Sequence, residues 1–182
     1  MWVPTLLQLK PPGGVPTGCV FSALMMTITM GGLLFPPLQS FIGNMTGSKE
    51  SANEASASLT YLLASISMAI PAICLSSELM EKAGGCLARV VASFMVVEFC
   101  VGLFMPVAGT LRSKYVPDAL QGGILNIFRL PLNTVVVAGT YATDVLETSK
   151  VFMMVSGCFL AAALLQASMI PTANAAAKAK KD

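Results

Sequence analysis

Five apolar stretches, each long enough to cross a bilayer as a helix, constrain this chain more than any other feature. Crossing about 30 Å of hydrocarbon takes about 20 helical residues. The stretches run from Thr17 to about Leu38, about Ser58 to Leu75, Leu87 to about Thr110, about Ala119 to Tyr141, and Val151 to about Ile170. No water reaches the bilayer core, so an apolar segment of this length satisfies its backbone groups internally, as a helix. The 182-residue chain is 55% hydrophobic and 11% charged, against about 25% charged in ordinary soluble domains. The fold class is therefore an all-α, polytopic membrane protein, multi-pass in the plasma membrane or an internal one.

The same composition removes several functions. The sequence contains no histidine, and its five cysteines, Cys19, Cys74, Cys86, Cys100 and Cys158, include no C-x-x-C or C-x-C pair. Zinc or haem sites and the histidine-dependent catalytic constellations therefore lack their residues. No enzyme, metal site or cofactor is expected. The net charge of +2 excludes a strong nucleic-acid footprint, and the one cationic cluster is Lys178, Lys180 and Lys181. The cysteines read as packed thiols, with a Cys19–Cys86 disulfide as the alternative. The twelve methionines read as filler for irregular helix interfaces.

Between the spans, punctuation residues set the expected boundaries. Residues 1–16 read as the end of a truncated helix plus an outer loop, because Met1 to Lys10 is too short to span and Pro11, Pro12, Gly13 and Gly14 follow. The segment lacks the basic start of a cleavable signal peptide. Residues 17–171 read as the five-helix bundle. In its first span Gly31 and Gly32 suit close helix packing, and Pro36 and Pro37 read as its stop. Ser40 to Ser58 reads as a flexible polar loop containing an Asn44-Met45-Thr46 sequon. Residues 172–182 read as a disordered basic tail. Lysine and arginine placement puts Lys49, Arg112, Lys114 and the terminal lysines on the cytoplasmic side, with Lys10, Lys82, Arg89 and Lys150 opposite.

Two charges lie inside membrane-length segments, Glu98 in the third and Arg129 in the fourth. Such groups cost several kcal/mol unless they face protein or water, which makes each a functional candidate. Pro131 frees the carbonyl of Ile127 and interrupts the fourth helix between Arg129 and Asn133, so 127–133 is the best pocket candidate. Asn126, Arg129 and Asn133 fall near one helix face. Arg129 admits a functional reading, a fork of donors for an oxyanion, and a structural one, in which it pairs with Glu98 or another acid from further polypeptide or snorkels to the inner end of the helix. Glu98 is correspondingly a proton-exchanging acid or that partner. Arg112 and Lys114 are either gate contacts or a positive-inside anchor.

The run GLFMPVAGTLRSKYVPDALQGGILNIFRLPLN resembles the region around the tenth and eleventh helices of the major facilitator branch that contains the molybdate-anion transporters. GCVFSALMMTITMGGLLF resembles the eighth helix of that branch, and MWVP the end of its seventh. The resemblance implies a twelve-helix transporter of which this chain supplies the last five helices and a stub. It implies an oxyanion, molybdate first, bound at mid-membrane by Arg129, Asn126 and Asn133, with Glu98 tuning the charge. Access would alternate by rocking against an N-terminal half, or against a partner chain. The alternative is a transport-inactive membrane fragment or interaction subunit derived from a transporter half.

Overall fold

The structure is a computed structural model, and it describes residues 2–9, 13–46, 51–76 and 85–179, with side chains to residue 175. Lys10, Lys49, Lys82, Lys180 and Lys181, with the acidic connection after the second span, lie outside the described residues, as does the side chain of Lys178. A short helix α1 (Trp2–Gln8) is followed by α2 (Thr17–Thr46), α3 (Ala52–Cys74), α4 (Cys86–Tyr115), α5 (Asp118–Val145) and α6 (Thr148–Ala179). The last five are long and apolar enough to cross a membrane.

Several helices run beyond their expected ends. α2 passes through Pro36 and Pro37 to Thr46, α5 continues unbroken across Pro131, and α6 passes Pro171 to Ala179. A proline removes one backbone donor and crowds the preceding turn. Ending the helix in an apolar medium would strand more groups than that, so the helix persists. The expected interruption at Pro131 and the expected stop at Pro36 are both corrected on this ground. The polar stretch from Ser40 to Ser58 likewise holds the end of α2 and the start of α3.

Packing runs in the order α2, α4, α3, α6, with a smaller contact between α2 and α3. α2 crosses α4 at Gly31 and Gly102. A Cβ at Gly31 would fall 2.2 Å from the Phe99 carbonyl oxygen, and one at Gly102 would fall 2.0 Å from that of Ile28. Glycine is what allows the backbones to meet there.

α3 and α6 meet along a seam of small polar residues. Ser58 Oγ donates to the Ala163 carbonyl at 3.0 Å, Ser65 Oγ to the Ser156 carbonyl at 2.8 Å, and Ser149 Oγ to the Ala72 carbonyl at 2.6 Å. Ser156 Oγ returns the bond to the Ser65 carbonyl at 2.8 Å. The positions advance by seven along one helix and retreat by seven along the other, which fixes an antiparallel register. An apolar cluster that includes Leu6, Leu24, Val90, Phe94 and Phe152 closes the end where α2, α4 and α6 begin.

Candidate functional site

α5 forms as one helix because Pro117 and Asp118 start it and β-branched residues occur mainly in its second half. Its 28 residues make a rod of about 42 Å, and Arg129 lies near its middle. The continuous helix sets Asn126, Arg129 and Asn133 along one stripe, at spacings of three and four residues. All three side chains are exposed, and so are their apolar neighbours, Leu130 being 73% exposed. The largest contact α5 makes is a small one with α6, and Ala142 is its one buried residue. The stripe is assembled, but no described element of this chain walls it. The pocket expected around 127–133 is therefore at most one side of a pocket.

Glu98 is half-buried on α4. It lies one turn from Val101, which lines an apolar cavity with Thr60, Tyr61 and Ala64 of α3, and two turns from the exposed Met105. Among the described residues no ion pair joins it to Arg129. The structure brings the two asparagines and Arg129 onto one line and leaves Glu98 apart from them.

Of the two expected gate residues, Arg112 is exposed and Lys114 is part of an arrangement that sequence reasoning missed. Lys114 Nζ lies 2.6 Å from Glu54 Oε1, and Tyr115 Oη donates to the same oxygen at 2.5 Å. Glu54 is 0% exposed, while the Lys114 side chain is 33% exposed. The second carboxylate oxygen, Oε2, is buried without a hydrogen-bond partner, as is Ser51 Oγ. Lys114 also stands in the last turn of α4, where a cation complements the helix dipole. A polar cavity of about 390 Å³, lined by Gln39, Ser40, Gly43, Asn44 and Ala52, opens at the same end. Gln39 Nε2 donates to Asn53 Oδ1 at 2.5 Å beside it. The ion pair joins the first turn of α3 to the last turn of α4, so the α2–α3 and α4–α5 connections share one end of the bundle. That matches the side-sharing expected from the basic residues.

Among the described residues no cluster of three or more metal-ligating acidic, cysteine or histidine side chains occurs. The donors on the α5 stripe are one guanidinium and two amides, a set that suits an anion with several acceptor oxygens.

No family model matches the chain, and no solved structure matches it. Among curated proteins, the molybdate-anion transporter of Xenopus tropicalis is 44% identical over 41 residues, covering 22% of this chain and 9% of that protein. The molybdate-anion transporter of Xenopus laevis is 42% identical over 41 residues, with the same coverage of both. The matched stretch thus spans about a tenth of the length of these relatives. Over that stretch, this five-span helical chain is similar to molybdate-anion transporters.

Proposed function

We infer that this chain is part of a secondary transporter that moves an oxyanion, molybdate first among candidates, across a membrane by alternating access. The observation that carries the reading is the α5 stripe. A guanidinium at mid-helix costs about 3 kcal/mol in an apolar surround, and no described part of the chain covers it. An oxyanion in a cleft offsets that cost, because the planar fork of Arg129 can donate two parallel bonds to a tetrahedral anion. Asn126 and Asn133 add amide donors above and below. The partial identity to molybdate-anion transporters supports the same anion class.

The cleft needs a second wall. In this reading it comes from the other half of a major facilitator, carried on further polypeptide, and the substrate sits at the junction near mid-membrane. The exposure of α5 also favours a second reading, in which the chain is a transport-inactive subunit that docks on a partner through this helix. Arg129 then pairs with a partner acid rather than an anion.

Deleting the coding sequence in the cells of origin and restoring it separates the two. We expect molybdate uptake to fall on deletion, to return with wild type, and to stay low with Arg129→Ala at equal membrane abundance. Arg129→Lys should restore it in part, because a point charge remains without the fork. Unchanged uptake on deletion would sink the transport reading, and full rescue by Arg129→Ala would sink the site. Excess sulfate or phosphate in the same assay reports how far the site distinguishes tetrahedral oxyanions.

A further inference from the structure

Two thiols meet where α3 ends and α4 begins. Cys74 is the last residue of α3 and Cys86 the first of α4, and they are 3% and 2% exposed. Cys86 Sγ lies 4.0 Å from the Cys74 carbonyl oxygen, which brings the two residues together at this junction. Both belong to the apolar cluster that closes this end of the bundle. Arg89, one turn into α4, is close enough to act electrostatically on Cys74. Its Nη2 folds back over Gly85, 3.6 Å from where a Cβ on that residue would sit. The sequence offered a Cys19–Cys86 bridge; in the structure Cys19 is exposed on α2 and Cys86 is buried beside Cys74.

We propose that Cys74 and Cys86 are an intramolecular redox pair, closed by a small disulfide oxidant into a bond that ties the end of α3 to the start of α4. In the first step one sulfur gives up its proton and attacks the oxidant, forming a mixed disulfide and expelling one thiol. The second sulfur then displaces the other half of the oxidant. The two cysteines lose two protons and two electrons, which the oxidant takes up as it leaves as two thiols. The adjacency of the two cysteines gives the second step a high effective concentration.

Burial sets the kind of oxidant. Bulky reagents do not reach the pair, so a small linear disulfide is required and the exchange is slow. A metal reading is poorer, because two sulfurs with no third ligand fall short of a structural site. The basic-residue distribution puts this end away from the cytoplasm, the side on which disulfides persist. The inference does not depend on transport.

The test uses the full chain in lipid nanodiscs, incubated with 2-mercaptoethanol or with its small linear disulfide, bis(2-hydroxyethyl) disulfide, quenched with acid and examined by mass spectrometry without reduction. The oxidised protein should lose two hydrogens, and its digest should contain a peptide that joins Cys74 to Cys86. Cys86→Ser should lose none under the same treatment. The proposal is overturned if the wild type yields only mercaptoethanol adducts on the exposed Cys19 or Cys158, or a link between a different pair. It is also overturned if no product forms over days. The map is read on the wild type, so a variant that fails to fold does not decide the matter.

Discussion

Arg129 and Glu54 are two charges in opposite surroundings, one exposed on an apolar helix and the other fully enclosed. For the enclosed one the cost of losing its partner depends on which side is cut. Lys114→Met leaves the carboxylate buried with Tyr115 alone, and an uncompensated buried charge costs about 3 kcal/mol. Glu54→Gln keeps an acceptor for Tyr115, and Lys114 can turn to water, so about 1 kcal/mol is expected. Denaturation of the chain in mixed micelles should show that order; equal losses would mean that Glu54 is not held by Lys114. Arg129 was legible in the sequence because a cation in an apolar run is conspicuous. Glu54 was not. Ser40 to Ser58 read as a flexible polar loop, yet Glu54 lies in the first turn of α3 and turns to α4. A pairing that bridges two helices from distant parts of the chain leaves no trace in local spacing.

Helices in lipid gain little from apolar contact alone and depend on close approach and interhelical hydrogen bonds. The α2–α4 crossing should therefore be intolerant of a single methyl. Gly102→Ala and Gly31→Ala should each destabilise by about 2 kcal/mol, because the added carbon falls on backbone rather than on a flexible side chain. Gly109→Ala and Gly139→Ala, with nothing within 4 Å, should be neutral or stabilise by up to about 1 kcal/mol. Along the α3–α6 seam, a double-mutant cycle between Ser65→Ala and Ser156→Ala should return a coupling of about 1 kcal/mol. A coupling near zero would remove the reciprocal bonds from the account. Gly31 and Gly32 pointed to packing from sequence alone; a Cβ would clash with backbone at Gly31 and only touch it, at 3.8 Å, at Gly32. The serine seam went unread, although the seven-residue steps between Ser58 and Ser65 and between Ser149 and Ser156 were there to find. Proline misled in the other direction, since a soluble-protein rule ends a helix where a membrane helix continues.

Among the described residues four of the long helices pack together and the fifth, α5, barely touches them. Length and hydropathy were enough to give the number of spans, because each must cover the hydrocarbon. Their neighbours were not legible, because nearly every face of an apolar helix looks alike until small and polar residues select one. α5 is the case in point: its polar stripe was readable and its isolation was not. The central claim is that another polypeptide surface covers that stripe and that an oxyanion sits between. A photoreactive benzophenone side chain at Leu130, introduced in the native membrane, tests it most directly. The account predicts an adduct with polypeptide whose yield changes when molybdate is added. Adducts with lipid alone, indifferent to molybdate, would contradict it.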